Sequence, residues 1–158
     1  MSKKVATNSP IRILFVCTGN TCRSAMAESI FKSEIKKRGL VGQYSVSSAG
    51  LYVKVGDKMN DTAKVALKNC GITPHSHKAR VLTKTLLSRA SLVVCMTQEH
   101  KNTIKNAKVL TVGDITKRGD VPDPYGYGVE VYQKVIEYLN SAVDEIFFTA
   151  KEFFKNRK

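Results

Sequence analysis

The chain has 158 residues, 42% of them hydrophobic, and its 26 basic and 13 acidic side chains give a net charge of +13. This length fits one domain over 1–158, with 1–9 as a flexible N-terminal extension. The apolar runs are no longer than strands, so neither a membrane span nor a secretory signal is expected. The lysines are scattered and no nucleic-acid-binding motif is present, so the charge favours anionic protein partners over a specific nucleic acid.

The cysteines and histidines limit the possible cofactors. The four cysteines contain no C-x-x-C pair, so neither a disulfide framework nor a zinc knuckle is expected. Reduced thiols and a cytoplasmic location follow as expectations. His75 and His77 alternate along one side of an extended segment, and His100 is the only other histidine. Because no cluster has zinc-like spacing, we expect no metal and no other cofactor.

Apolar runs alternate with amphipathic stretches along the chain. Buried strands are predicted at 11–16, 44–49, 91–96 and 108–112. Helical periodicity and helix-stop residues predict helices at 24–38, 59–69, 84–90 and 98–105, then a loop over 113–128 and one long helix over 129–154. The alternation predicts a single-domain α/β fold, with a four-stranded parallel sheet flanked by helices on both faces. Because ligands of such sheets bind beyond the carboxyl ends of the strands, the site is expected after Val16.

The first predicted strand runs directly into CTGNTCRS at 17–24, and a helix follows. Gly19 permits unusual backbone angles, so the loop amides and the helix N-terminus can form a cradle for a phosphate dianion. Cys17, at this cradle and near Arg23, is expected to be a thiolate and a nucleophile toward phosphorus. Arg23 can bind two phosphoryl oxygens, and Ser24 can donate its hydroxyl to the thiolate.

Five motifs extend this pattern over nearly the whole chain. They are VCTGNTCRSAMAE (16–28), SSAG (47–50), HKAR (77–80), VCMT (94–97) and DPYG (123–126). In this order and spacing the chain resembles the low-molecular-weight protein tyrosine phosphatase family.

The resemblance implies a phosphocysteine intermediate on Cys17, with Asp123 as the acid that protonates the leaving group and the base that then activates water. Asp120 lies nearby and is interpreted as a turn residue. Oxidation would pair Cys22 with Cys17. The residues implied to bind phosphate or to support the loop are Thr18, Gly19, Asn20, Thr21, Cys22, Ser24, Ser48 and His77.

The substrate pocket is expected to have Tyr125 as an aromatic wall, with Tyr52 or Lys54 opposite. Many family members have Leu and Ile where this chain has Thr18 and Thr21. A threonine at the position of Thr21 resembles the loop of a bacterial branch that includes protein-arginine phosphatases. The resemblance therefore implies phosphorylated proteins as partners, with phosphotyrosine as the default substrate and phosphoarginine close behind. The enzyme is expected to be a monomer or a weak dimer.

Two alternative functions do not involve hydrolysis of a phosphorylated substrate. A phosphocarrier would also hold phosphate on a cysteine at a strand end, but it needs neither Arg23 in a tight cradle nor Asp123 as an acid. A phosphopeptide-binding module would keep the cradle but lose the nucleophile or the acid, and both are present.

Overall fold

A computed structural model describes residues 9–157, so the predicted flexible extension lies outside the described residues except for Ser9. In this part of the chain, four parallel strands form one sheet in the order β2-β1-β3-β4. The strands are β1 (Ile11–Cys17), β2 (Tyr44–Gly50), β3 (Leu92–Cys95) and β4 (Val109–Thr111). The predicted four-stranded parallel sheet is confirmed.

Each face of the sheet has its own apolar core, because successive side chains of a strand point to opposite faces. In β1, Ile13 and Phe15 belong to the larger core, whereas Leu14 and Val16 belong to the smaller one. Because these two cores cover both of its faces, β1 is almost fully buried, and it lies inside the sheet between β2 and β3. The segment after β1 is therefore anchored by the most enclosed strand of the fold.

Helices cover both faces, as the sequence predicts. The larger core contains residues of α1 (Arg23–Lys37), α2 (Asp61–Asn69), α6 (Val129–Ser141) and α7 (Val143–Lys155). On the other face, α3 (Lys84–Arg89) and α4 (Gln98–Ile104) pack leucines and Ile104 against the smaller core. None of the helices within residues 9–157 is long and apolar enough to cross a membrane.

The C-terminal region differs from its prediction, because the single helix expected over 129–154 is broken at Ala142. The Ser141 hydroxyl donates to the Tyr138 carbonyl at 2.6 Å, and the Ser141 carbonyl accepts from Arg118 at 3.3 Å. Both bonds compete with the helical backbone pattern. The break lets α6 pack on α1 and α2 while α7 packs on the sheet.

The predicted loop over 113–128 also contains structure that the sequence pattern did not reveal. A short helix, α5 (Val112–Thr116), begins in a capping box in which the Thr111 hydroxyl accepts from the Asp114 amide and the Asp114 carboxylate accepts from the Thr111 amide. Burial opposes ionisation of Asp114, but the bonds from Lys101, Thr111 and Gln98 outweigh it and lower its pKa to about 2.

Candidate active site

The loop between β1 and α1 forms a concave backbone around the end of the first strand. Asn20 has a φ of 59°, in the left-handed region, which turns the chain back toward the helix. Cys22 precedes α1 without a side-chain capping bond, and the first helical turn contains no acidic residue. The amide groups at this helix N-terminus are therefore available to an anion.

Cys17 and Ser24 are in direct contact at this loop. The Cys17 Sγ and Ser24 Oγ atoms are 2.9 Å apart, and both side chains are buried. The Asn20 amide donates to Ser24 Oγ at 2.9 Å, so the Ser24 hydroxyl hydrogen is left for another acceptor. The Ala49 carbonyl is 3.4 Å away, farther than the sulfur. This geometry directs the Ser24 hydroxyl to Cys17.

Asn20 is the centre of the hydrogen bonds that support the loop. Its second amide hydrogen goes to Ser48 Oγ at 2.9 Å, and its side-chain oxygen accepts from the Arg80 amide at 3.0 Å. Its backbone carbonyl accepts from His77 Nε2 at 2.6 Å. Asn20 is fully buried, so these bonds satisfy polar groups that water cannot reach. The structure brings the predicted support residues Ser48 and His77 together on Asn20.

A carboxylate that the sequence interpretation missed completes this support. Glu28, on α1, accepts from Ser48 Oγ at 2.6 Å and forms an ion pair with Lys32 at 2.6 Å. Its Oε1 atom lies 3.2 Å from His75 Nε2. Burial raises the pKa of Glu28, but the bonds from His75, Lys32 and Ser48 outweigh burial and lower it to about 2. Glu28 is four residues after Ser24 on the same helix face, which was the available sequence signal.

His75 and His77 belong to this cluster, whereas His100 lies outside it and has a different hydrogen-bond partner. His75 Nε2 lies 2.8 Å from His77 Nδ1, which confirms that the two side chains share one side of their segment. Burial lowers the pKa of His77. His100 lies elsewhere, on α4, with its Nε2 atom 2.9 Å from Thr18 Oγ1.

Arg23 and Asp123 face each other across the loop. Arg23 is 5% exposed, donates to the Val121 carbonyl at 3.2 Å, and lies 3.6 Å from the Asp123 carboxylate. The Asp123 side chain is 58% exposed and accepts from the Tyr125 amide at 3.1 Å. Asp120, interpreted from the sequence as a turn residue, instead accepts from the Gln98 amide at the start of α4, at 3.2 Å.

These side chains surround a cavity of about 230 Å³. Its lining is Cys17, Thr18, Gly19, Thr21, Cys22, Arg23, Asp123 and Tyr125. Tyr52 and Lys54 do not line it, although the Tyr52 amide donates to the Thr18 carbonyl at 2.9 Å. The structure thus brings together the predicted nucleophile, arginine, acid and aromatic wall, but not the second predicted wall.

Gly50 explains the SSAG motif physically. A Cβ atom at this position would lie 2.6 Å from the Thr18 carbonyl oxygen and 3.0 Å from the Asn20 amide nitrogen. Only a residue without a side chain lets β2 approach the loop this closely.

The other cysteines have separate environments. Cys22 is a free thiol near the Tyr132 hydroxyl, and burial raises its pKa. Cys95 is fully buried in β3, and burial raises its pKa to about 12. Cys95 is therefore part of the smaller core.

A larger cavity of about 800 Å³ lies at the opposite end of the sheet, beside Ser9, Arg12, Lys108 and Phe153. No predicted site residue lines it. The predicted nucleophile, arginine and acid instead line the smaller cavity of about 230 Å³.

The fold and this site define a class of enzyme, an α/β phosphatase whose nucleophile is a cysteine in a phosphate-binding loop. The family described as "Low molecular weight phosphotyrosine protein phosphatase" matches residues 12–158, and the chain belongs to that family. The resemblance stated from the sequence motifs is thereby confirmed.

Relatives of this chain include enzymes named for two substrates. The protein-arginine-phosphatase of Bacillus subtilis (strain 168) is 36% identical over 154 residues, covering 92% of this chain and 99% of that protein. The solved low molecular weight protein tyrosine phosphatase from T. tengcongensis is 38% identical, covers 87% of this chain and 98% of its own, and superposes with a TM-score of 0.80. A YwlE arginine phosphatase mutant with a phosphorylated active-site serine is 35% identical, with coverages of 92% and 97% and a TM-score of 0.80.

Proposed function

We propose that this chain hydrolyses phosphoarginine in proteins through a phosphocysteine intermediate on Cys17. The single observation that carries the proposal is the polar lining beside the nucleophile, where Thr18 and Thr21 stand on the pocket wall. A guanidinium-type leaving group carries several N–H donors, which threonine hydroxyls can accept, whereas a phenyl ring needs apolar contact. The 36% identical relative is itself a protein-arginine-phosphatase.

Phosphotyrosine is the second candidate. Tyr125 offers an aromatic face at the mouth of the pocket, and such a face stacks on a planar ring. The T. tengcongensis relative is a protein tyrosine phosphatase. The two candidates share every chemical step and differ only in the group that leaves.

The proposed reaction begins when the Cys17 thiolate attacks phosphorus from the cavity floor. The bond from phosphorus to the leaving nitrogen or oxygen breaks, and Asp123 transfers its proton to that atom. Arg23 and the loop amides hold the three phosphoryl oxygens as charge spreads over them. The short distance from Arg23 to Asp123 supports a common target for both side chains.

The second step returns the enzyme to its starting state. Asp123, now a carboxylate, takes a proton from water, and the resulting hydroxide attacks the phosphocysteine. The phosphorus–sulfur bond breaks, and the departing Cys17 thiolate receives a hydrogen bond from Ser24, whose hydroxyl lies 2.9 Å away. Inorganic phosphate then leaves. A relative with a phosphorylated active-site serine supports phosphoryl transfer to this side-chain position.

The setting of the enzyme follows from its chemistry. Because the nucleophile must be a reduced thiol, a cytoplasmic location suits the four free cysteines. Cys17, Arg23 and the proposed acid Asp123 line one cavity of a single chain, so the proposed reaction needs no residue from a second copy. Phosphorylated proteins remain the proposed partners.

The test compares a phosphoarginine peptide and a phosphotyrosine peptide of the same sequence on the purified protein. We expect higher kcat/KM on phosphoarginine, loss of turnover in Cys17→Ser, and strong reduction in Asp123→Ala. Thr21→Ile is expected to shift the preference toward phosphotyrosine. Preference for phosphotyrosine in the unmodified protein would instead support the second candidate. Phosphate binding without turnover of either peptide would support a binding module.

A further inference from the structure

Three ligand atoms converge behind the phosphate-binding loop, outside the catalytic cavity. They are Glu28 Oε1, His75 Nε2 and His77 Nδ1. Glu28 Oε1 lies 3.2 Å from His75 Nε2 and 3.8 Å from His77 Nδ1, and the two nitrogens are 2.8 Å apart. The three side chains are about nine-tenths buried or more, with exposed fractions of 10%, 10% and 4%. We propose that this triangle binds a divalent transition-metal ion of the zinc type.

The size of the triangle fits a distorted four-coordinate ion, because its edges of 2.8, 3.2 and 3.8 Å lie on either side of the separation of about 3.3 Å that zinc ligands have at tetrahedral angles. A point equidistant from the three atoms lies about 1.9 Å from each, so an ion slightly above the plane has the bond lengths of about 2.0–2.1 Å that zinc adopts with imidazole and carboxylate. The two imidazole rings stand edge to face, with an interplanar angle of 87°, so they do not stack, and a small rotation of each ring turns its nitrogen from the other ring toward the ion. Water can supply the fourth ligand.

The hydrogen bonds around the triangle orient its ligand atoms. A backbone carbonyl only accepts, so His77 Nε2 carries the proton that it shares with Asn20 at 2.6 Å, and a neutral His77 presents the lone pair of Nδ1. His75 Nδ1 lies 2.6 Å from Ser29 Oγ. Each ring therefore has an outer partner of the type that fixes metal-bound histidines.

One proton must move when the ion binds. Without metal, the single hydrogen on His75 Nε2 is shared between His77 Nδ1, which already lacks a proton, at 2.8 Å and Glu28 Oε1 at 3.2 Å. Coordination requires that this proton transfer to His75 Nδ1. The Ser29 hydroxyl, which donates to Nδ1 without metal, must then rotate its hydrogen away so that Ser29 Oγ accepts from Nδ1 instead. The neutral rings and the Glu28 carboxylate then ligate the ion with no net loss of protons. The ammonium of Lys32 stays on the other Glu28 oxygen.

No metal was expected from the sequence, because His75 and His77 lacked a third ligand and His100 was the only other histidine. The fold supplies Glu28 from α1 instead of His100. His100 bonds to Thr18, so it offers a matched control on the same chain.

The test uses the full chain with Cys17, Cys22 and Cys70 replaced by serine, which removes the thiols nearest the surface as competing ligands. Titration with Co²⁺ is expected to give the visible absorption of a tetrahedral site, one ion per chain, and Zn²⁺ is expected to displace it. His75→Gln is expected to abolish the spectrum, whereas His100→Gln is expected to leave it unchanged. Thermal unfolding of each variant checks that it is folded.

A second measurement leaves all three histidines in place. In this cysteine-replaced chain, Zn²⁺ is expected to shift the NMR signals of the His75 and His77 rings and to leave those of His100 unmoved. Two results overturn the proposal. One is a Co²⁺ spectrum that survives in His75→Gln. The other is binding seen only while the cysteines are present, with no ring shift at millimolar Zn²⁺.

Discussion

The Ser24 hydroxyl oxygen lies 2.9 Å from the Cys17 sulfur. Asn20 occupies one lone pair of this hydroxyl, so its hydrogen is directed at the sulfur. The sulfur carries full negative charge in the free enzyme and regains it as the phosphocysteine breaks down, so a bond to the thiolate favours breakdown of the intermediate over its formation. Ser24 is thus placed to stabilise the leaving thiolate rather than to bind substrate.

Ser24→Ala is expected to lower kcat by about 10- to 100-fold, because a hydrogen bond to a charged group is worth about 1.5–3 kcal/mol. Breakdown of the intermediate is expected to slow more than its formation. Rapid-quench kinetics on an aryl phosphate would then show a burst of released phenol followed by slow turnover. A fall in the burst rate equal to that in turnover would contradict this role.

Gly50→Ala is expected to disrupt the loop without altering any catalytic side chain. The new methyl group would meet the Thr18 carbonyl and the Asn20 amide, both backbone groups that cannot rotate away. A shift of the loop by about 1 Å can lower kcat/KM by about a hundredfold. Ser47→Ala is the matched control, since Ser47 lies in the same strand but pairs with Leu14. Equal kcat/KM in both variants would exclude the close approach as the cause.

The loop was predictable from sequence because its chemistry is local. Residues 11–24 contain all of its features, namely a buried strand, a glycine, the start of a helix and the Cys17–Arg23 spacing. Short-range patterns of this kind can be recognised in a single sequence. The sheet was predictable for a similar reason, since apolar runs such as that in β1 must be covered on both faces.

The contacts that complete the site were not predictable, because they join residues far apart in sequence. Glu28 meets His75 only after α1 and the segment following α2 pack together, and Thr18 meets His100 across 82 positions. The break at Ala142 also depends on Arg118, a residue from another segment. The periodicity of a single sequence does not predict such tertiary bonds.

His100 gives a prediction for the pH dependence of stability. Burial, followed by the positive charge of Arg23, lowers the pKa of His100, while the nearby carboxylates of Glu99, Asp120 and Asp123 oppose this shift only in part. The unfolded chain, with an ordinary histidine pKa of about 6.5, therefore binds more protons in the mildly acidic range. The stability linked to His100 is complete above about pH 6.5 and is lost as pH falls below it.

His100→Gln removes this titration while keeping an amide that can bond to Thr18. We expect the free energy of unfolding to fall less steeply between about pH 6.5 and 5 in the variant. Part of the slope will remain, because burial also lowers the pKa of His77. Urea unfolding at a series of pH values measures both slopes. Identical slopes in the two proteins would show that His100 titrates alike in the folded and unfolded chains.

Asp123 and Asp120 allow a sharp test of the proposed acid, because they are three positions apart on one loop. Asp123 lines the cavity beside Arg23, whereas Asp120 accepts from the Gln98 amide. Asp123→Asn is expected to slow aryl phosphates in proportion to the basicity of their leaving group, since a poor leaving group most needs a proton. The loss for phenyl phosphate should reach about 10²–10⁴-fold and should shrink for p-nitrophenyl phosphate. Asp120→Asn should change both rates little and equally. A steeper dependence on the leaving group in Asp120→Asn than in Asp123→Asn would reverse the two assignments.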